Sequence, residues 1–189
     1  SRGLGDVYKR QVRYQTAGDD QSKIADEIRE AWKEADLILT TGGVSVGEKD
    51  LLPGVIENLT GNVLFHGIQV KPGMPTMLSV VKGTPVLSLS GNPFAVEALF
   101  EVLAGGYLTD MEASRYLQKN QMKALKQTFV KTGKMKRIVK GRCDESGVYL
   151  PQIQKNGQLK NGIGSNCLVI FPEGERTYAE GEAVRVIRI

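Results

Sequence analysis

The arrangement of apolar residues changes near Met111, and this change limits the possible folds more than any other feature of the chain. Up to about Leu108, short apolar runs alternate with segments of helical period, which predicts an open, mostly parallel α/β sheet. From Thr128 onward the apolar runs are short, β-like and separated by glycine-containing turns. That pattern favours a small all-β, barrel-like domain.

Four segments follow from this change of pattern. Residues 1–11 show neither period and look like translated vector or adapter sequence, so we treat them as a non-native or disordered leader. Residues 12–110 form the predicted α/β domain and residues 111–127 a linker helix, and residues 128–189 form the β domain. A chain of 189 residues is long enough to bury one or two hydrophobic cores.

Caps and turns delimit the elements of the α/β domain. Asp19 or Asp20 can cap a first helix, and prolines open two further helices at Pro53 and Pro93. A turn at residues 82–83 separates the last two strands. The predicted strands are residues 12–16, 37–39, 63–65, 77–81 and 86–89.

The composition favours a globular protein without a membrane segment. No apolar run approaches the roughly 20 residues that span a bilayer, so we expect a soluble, cytoplasmic protein. The two cysteines, Cys143 and Cys167, lie far apart and lack the spacing of a zinc site, and we expect buried free thiols.

Positive charge is concentrated in residues 119–142, which contain lysine and arginine but no aspartate or glutamate. Such a stretch is most often a solvated face, although it can also meet an anionic ligand or nucleic acid. Phe129 is its only aromatic residue, and single-stranded nucleic acid usually needs several stacking side chains. Nucleic acid is therefore a disfavoured partner.

Three loops contain residues that suit an anionic ligand, and in an open α/β sheet such loops lie at the carboxyl ends of strands. The first runs from Thr40 to Asp50, and its glycines and hydroxyl groups allow close approach of an anion. The carboxylate of Asp50 suits Mg²⁺, which is usually held by one or two carboxylates plus ligand oxygens. The alternative is an ordinary turn in which Asp50 caps a helix.

The second and third loops are shorter. The second, residues 71–75, holds the cation of Lys71 on a proline-stiffened chain, although an isolated lysine in a loop is commonly solvated. The third, residues 88–93, ends a strand and begins a helix, whose free N–H groups favour an anion. On its own, Gly-Asn-Pro is more often a turn signal than a binding site.

Taken together in this order, the three loops closely resemble the signature of the molybdopterin-binding fold of MoeA, the gephyrin E domain and the MogA-type adenylyltransferases. The pair of Lys-Pro-Gly and Gly-Asn-Pro followed by a β domain is similar to the MoeA/gephyrin type, over about residues 12–189. The resemblance implies insertion of molybdenum from molybdate into adenylylated molybdopterin, with release of AMP and help from Mg²⁺. It also implies a homodimer and a MogA-like adenylyltransferase as partner.

The resemblance assigns residues to roles. Asp50 and Lys71 match positions implicated in catalysis, and Asp50 also matches the position that handles metal or molybdate. The positions that match the pterin- and nucleotide-binding loops are Thr41, Gly42, Gly43, Val44, Ser45, Gly47, Pro72, Gly73, Gly91, Asn92 and Pro93.

Several departures from the family pattern stand out. Met74 replaces a second lysine, Ser90 replaces a proline, and Ala95 replaces a small hydroxyl residue. Residues 155–161 lack the serines typical of the family. Relative to the family, we also expect two N-terminal domains and the first strand and helix of the binding domain to be missing. This absence predicts weak binding and poor turnover by the chain as it stands.

Other functions compete with molybdenum transfer. The strongest rival is a non-catalytic module that binds a pterin or nucleotide, and adenylyl transfer of the MogA type is disfavoured by the trailing β domain. A serine hydrolase is disfavoured because there is no Gly-x-Ser-x-Gly motif and His66 is the only histidine. We expect His66 to be a packed or surface residue. The sequence also lacks P-loop and dinucleotide-binding glycine patterns.

Overall fold

The computed structural model of the protein describes residues 4–5, 11–45, 50–104, 120–151 and 164–189. The helices are α1 (Gln21–Ala31), α2 (Leu52–Asn58) and α3 (Pro93–Leu99), and α3 continues into a π-helix at Phe100–Ala104. The strands of the first half are β1 (Leu4–Gly5), β2 (Gln11–Val12), β3 (Ile38–Thr41), β4 (Asn62–His66), β5 (Val70–Lys71), β6 (Met77–Val81) and β7 (Thr84–Leu89). Those of the second half are β8 (Asn120–Ala124), β9 (Phe129–Lys131), β10 (Lys136–Cys143), β11 (Val148–Tyr149), β12 (Cys167–Phe171), β13 (Arg176–Tyr178) and β14 (Ala183–Arg188).

The order of the strands in the α/β sheet is β3-β7-β6-β4. The α/β class is confirmed, but the prediction of a mostly parallel sheet is wrong for the described strands. Only β3 and β7 pair in parallel, whereas β6 pairs antiparallel with both β7 and β4. The turn at Lys82 and Gly83 explains part of this difference, because a two-residue connection can join only antiparallel strands. Both turn residues have positive φ, as such a hairpin requires.

Local signals placed the helices correctly. The Asp20 carboxylate caps α1 by accepting hydrogen bonds from the backbone N–H groups of Ser22 at 2.9 Å and Lys23 at 3.2 Å. Pro53 lies in the first turn of α2. Ile28 on α1 and Ile56 on α2 are buried against the sheet. The two helices therefore begin where the capping aspartate and the first-turn proline predict.

The N-terminal predictions were less accurate. The predicted strand over residues 12–16 ends at Val12, because residues 13–16 are exposed and have no strand partner in the described part of the chain. Within the segment expected to be a leader, β1 pairs antiparallel with β2.

The described residues of the second half form only strands and turns, as predicted. Five of its strands form a sheet in the order β11-β10-β12-β14-β8, and β9 pairs with β13 in a separate ribbon. The sheet curls so that Leu125, just after β8, forms a bridge with Val148 of β11. The predicted linker helix over 111–127 is wrong for residues 120–124, which form β8 because β14 offers a free edge for pairing. Residues 111–119 lie outside the described part.

The two halves of the molecule share a hydrophobic core. One buried cluster contains Leu89 and Leu99 from the α/β half together with Ile138, Leu168 and Ile187 from the β half. Strand β5 leaves the α/β half and pairs in parallel with β10. Main-chain hydrogen bonds and apolar contacts therefore both connect the halves.

Both cysteines are buried free thiols, as predicted. Burial, reinforced by the neighbouring Cys143, raises the pKa of the Cys167 thiol to about 12. A thiol with so high a pKa stays protonated near neutral pH and is a poor nucleophile. Among the described helices, none has the length and apolar character needed to cross a lipid bilayer.

Candidate functional site

The first and third loops lie side by side because β3 and β7 are parallel neighbours. Thr41 at the end of β3 is paired with Leu89 at the end of β7, so both loops leave the sheet at the same edge. The N–H of Gly42 donates to the carbonyl of Leu89 at 2.9 Å. A methyl group added at Gly91 would lie 3.6 Å from the Cα atom of Gly42, so the two loops lie close together there.

The first loop contains two glycines with positive φ, followed by a buried valine. Gly42 and Gly43 have φ values of 87° and 63°, a region that favours glycine, and a Cβ at either would meet no atom of the described residues within 4 Å. The next residue, Val44, is only 1% exposed and belongs to the core beneath α1 and α2. Ser45 is exposed and Asp50 is partly buried, whereas Gly47 lies outside the described residues.

The second loop rests on α3. Lys71 is exposed at the end of β5, and a cis peptide bond joins it to Pro72. Gly73 has a φ of 106°, and a Cβ there would lie 2.2 Å from the Cδ1 atom of Leu99 on α3. The hydroxyl of Thr76 donates to the Gly73 carbonyl at 2.7 Å. The glycine of Lys-Pro-Gly therefore allows a close approach of backbone to helix as well as an unusual φ.

The third loop is organised by Asn92. Its side-chain oxygen accepts hydrogen bonds from the N–H groups of Phe94 at 3.0 Å and Ala95 at 3.2 Å, which caps α3. The side-chain oxygen is therefore occupied by the helix, and the side-chain N–H groups remain for other partners. Ala95, one of the departures from the family pattern, is fully buried beside Gly73, which explains why a small residue fits there.

His66 connects the first loop to the start of the second, a contact that sequence reasoning missed. Its Nε2 atom lies 2.8 Å from the carbonyl oxygen of Val44. Because a carbonyl oxygen only accepts, Nε2 is the nitrogen that carries the proton. The side chain is exposed, so the expectation of a surface residue is correct but incomplete. No local signal pairs it with a residue 22 positions away.

A row of paired residues runs beneath the first loop. Register pairs Thr40 with Ser88, Ser88 with Met77, and Met77 with His66, across β3, β7, β6 and β4. The hydroxyl oxygens of Thr40 and Ser88 are buried and have no hydrogen-bond partner within the described residues. The sheet edge therefore supports the loop with both apolar and polar side chains.

The structure brings most of the predicted site residues together. The N–H of Gly42 in the first loop donates to the Leu89 carbonyl in the third loop, Gly73 of the second loop packs against α3, and His66 at the end of β4 is hydrogen-bonded to Val44 of the first loop. The described residues contain no group of three or more His, Cys, Asp or Glu side chains that could hold a metal ion by themselves. A single carboxylate such as that of Asp50 could hold Mg²⁺ only together with phosphate oxygens and water as the other ligands.

Comparison with known proteins identifies the class. Residues 9–110 match the family described as "Probable molybdopterin binding domain", and the chain belongs to this family. It is similar to the molybdopterin molybdenumtransferase of Staphylococcus aureus (strain COL), with 30% identity over 179 residues that cover 92% of this chain and 43% of that protein. The same enzyme of Staphylococcus epidermidis (strain ATCC 12228) is 27% identical over the same share of each chain. The chain thus spans less than half the length of the curated relatives it matches.

Solved structures agree with this relationship. The molybdopterin biosynthesis MoeA protein from Pyrococcus horikosii superimposes with a TM-score of 0.72 at 28% identity, covering 90% of this chain and 41% of that one. A molybdenum cofactor biosynthesis protein from Pyrococcus furiosus has the same fold, with a TM-score of 0.66 at 23% identity, covering 92% and 56% of the two chains. The resemblance inferred from the three loops is confirmed.

Proposed function

We propose that this chain forms part of the site at which molybdenum from molybdate is inserted into adenylylated molybdopterin, with release of AMP. One observation carries the proposal: the described parts of the three family loops, far apart in sequence, lie together at one edge of the sheet through the β3–β7 pairing and the contact of Gly73 with α3. Membership of the molybdopterin-binding family and similarity to molybdenumtransferases give the ligand its chemical class.

Each proposed role follows from the position of the residue. No atom of the described residues lies within 4 Å of a Cβ added at Gly42 or Gly43, so the backbone of the first loop can approach an anionic group of the substrate. Lys71, the first residue of the second loop, is exposed and can offset the negative charge of phosphate or molybdate. Asp50 would hold Mg²⁺, which when bound would neutralise charge on the phosphate oxygens of the substrate.

The wider setting is also a proposal. Adenylylated molybdopterin must be made by another enzyme, and an adenylyltransferase of the MogA type has the required chemistry. We further propose that the protein works as a homodimer in the cytoplasm.

A second candidate function is binding of a pterin or nucleotide without turnover. The observation that favours it is Met74, which is 48% exposed at a position where the family usually has a second lysine. The loop then has one cation fewer for two anionic substrates. Binding and turnover therefore need to be measured separately.

Substitution of Asp50 by Asn tests the proposed site, since it removes the charge and keeps the shape. We expect Mg²⁺-dependent binding of the substrate, or any measured turnover, to fall at least about tenfold, which corresponds to about 1.4 kcal/mol. The melting temperature should change little. Asp19→Asn is the matched control because it removes the same charge from an exposed position before α1.

Two outcomes would contradict this role. Unchanged affinity together with a lowered melting temperature would show that Asp50 only supports α2. A comparable loss in Asp19→Asn would show that the effect depends on net charge and not on the site. Substrate binding without AMP release in the unsubstituted chain would favour the binding module.

A further inference from the structure

His66 lies where two of the three loops meet. It is the last residue of β4, and the segment that leads to Lys-Pro-Gly begins at the next residue, Gly67. Backbone hydrogen bonds close this segment, from Gly67 N–H to the Thr76 carbonyl at 2.8 Å and from Ile68 N–H to the Met74 carbonyl at 2.9 Å. The imidazole of His66 therefore projects from the base of the second loop.

The partner of His66 belongs to the first loop. Its Nε2–H donates to the carbonyl oxygen of Val44 at 2.8 Å. Val44 follows directly on Gly43, whose carbonyl accepts from Leu52 N–H at 3.1 Å. The described part of the first loop is held by the backbone hydrogen bonds of Gly42 and Gly43, by the buried Val44 side chain and by the bond from His66. His66 thus adds a side-chain hydrogen bond to the backbone contacts of this loop.

We propose that His66 is a positioning residue that locks the glycine loop to the Lys-Pro-Gly segment and so prepares the proposed site for its anionic ligand. This inference rests on the proposed function. Ligand binding to a loop that is already ordered avoids the entropy cost of ordering it. Loss of the bond should therefore weaken binding more than it weakens the fold.

His66 is the only histidine in the sequence, so its imidazole signals can be assigned directly by NMR. Nitrogen-15 NMR of the full chain should show a single imidazole with a proton fixed on Nε2, as donation to the Val44 carbonyl requires. Hydrogen exchange of the Val44 and Ser45 amides should be slower than in a variant without the bond. An Nε2 atom without a proton, or a ring that exchanges between tautomers, would overturn the proposal without any ligand being present.

Two substitutions separate the hydrogen bond from the bulk of the ring. His66→Phe keeps a ring but removes the donor, whereas His66→Gln places an amide N–H close to the position of Nε2. We expect His66→Phe to raise the Kd for molybdate and for AMP by about three- to tenfold, the range for one hydrogen bond, and to speed exchange at Val44 and Ser45. His66→Gln should restore affinity to within about twofold. Both melting temperatures should stay close to that of the unsubstituted chain, since the side chain is exposed.

The outcomes distinguish this inference from the proposed function. If the unsubstituted chain binds neither molybdate nor AMP, the proposed function fails, and the exchange data still decide whether His66 orders the loop. If the chain binds and His66→Phe binds equally well, the positioning role is wrong. Failure of His66→Gln to restore both affinity and protection would likewise show that the hydrogen bond is not the cause.

Discussion

Two lysines of this protein lie in opposite surroundings, and the contrast shows how local environment decides what a residue does. Lys71 is exposed beside the proposed site, whereas Lys131 in the β half is only 1% exposed. The ammonium group of Lys131 donates to the carbonyl of Gly133 at 2.7 Å and also to the carbonyl of Gly174. A buried charge is tolerated only when it is paired or hydrogen-bonded. Lys131 therefore fastens two turns and is not available to a ligand.

Replacing Lys131 by Met should destabilise the protein by about 2–4 kcal/mol, because the carbonyl groups of Gly133 and Gly174 lose the charged donor that they share. Chemical denaturation measures the change in the free energy of unfolding. Lys134→Met is the control, since Lys134 is exposed in the same turn and its replacement should cost less than about 0.5 kcal/mol. Equal effects of the two substitutions would mean that the buried hydrogen bonds contribute nothing.

Met74 is the departure with the clearest functional consequence. Its side chain is 48% exposed, while its carbonyl accepts hydrogen bonds from the N–H groups of Ile68 and Thr76. A substitution there leaves the backbone of the loop in place. The exposed side chain also means that an ammonium group would stay partly solvated.

We expect Met74→Lys to tighten binding of molybdate or of adenylylated molybdopterin by up to about tenfold, with a gain that shrinks as salt is added. Isothermal titration at low and high ionic strength measures both quantities. Met74→Gln is the control because it adds a polar group without charge. A gain independent of salt, or a loss of affinity, would show that residue 74 does not face the ligand.

At the scale of elements, α3 positions two loops. Asn92 caps its first turn, and Leu99 near its end leaves no room for a side chain at Gly73. From the β half, the ammonium of Lys140 on β10 reaches the Glu97 carboxylate at 2.5 Å and lies 5.5 Å from the Phe94 ring centre. Helix α3 therefore contacts the β half as well as the second and third loops.

Gly73→Ala should test this arrangement. The added methyl would clash with Leu99 and would also require an unfavourable φ, so we expect a loss of about 3 kcal/mol or more in the free energy of unfolding. Gly83→Ala is the matched control, because Gly83 has a φ of 88° but no atom within 4 Å of an added Cβ. It should lose only about 1–2 kcal/mol. Similar losses would mean that the contact with α3 is unimportant.

At the scale of the whole molecule, the α/β half and the β half are joined by one buried cluster and by the β5–β10 pairing. Ile138 on β10 is 3% exposed and packs in this shared cluster. Because β5 ends at Lys71, the β half also helps to hold the second loop. The halves should therefore unfold together.

Ile138→Ala should lower the free energy of unfolding by about 2–4 kcal/mol through loss of buried methyl groups and creation of a cavity. Hydrogen exchange should speed up in β7 as well as in β12, because both strands line the shared cluster. Val130→Ala is the control, since Val130 is a largely exposed apolar residue of the β half. Faster exchange confined to the β half would show that the two halves are energetically independent.

The sequence by itself determined the features that depend on neighbouring residues. Asp20 and Asn92 start their helices through hydrogen bonds to residues two and three positions ahead, and the turn at residues 82–83 follows from local backbone preferences. The family loops were also recognisable, because their residue types and order are linear patterns. The α/β class, the β-strand character of the second half and the family could therefore be predicted from the sequence alone.

Tertiary structure decided the features that depend on residues far apart in the chain. Among the described strands of the α/β sheet only β3 and β7 pair in parallel, and residues 120–124 form a strand because pairing with β14 outweighs weak local preference. The contact of Gly73 with Leu99 joins residues whose separation no periodic pattern encodes. The hydrogen bond from His66 to Val44 forms because β4 ends at the same edge of the folded sheet at which the first loop begins.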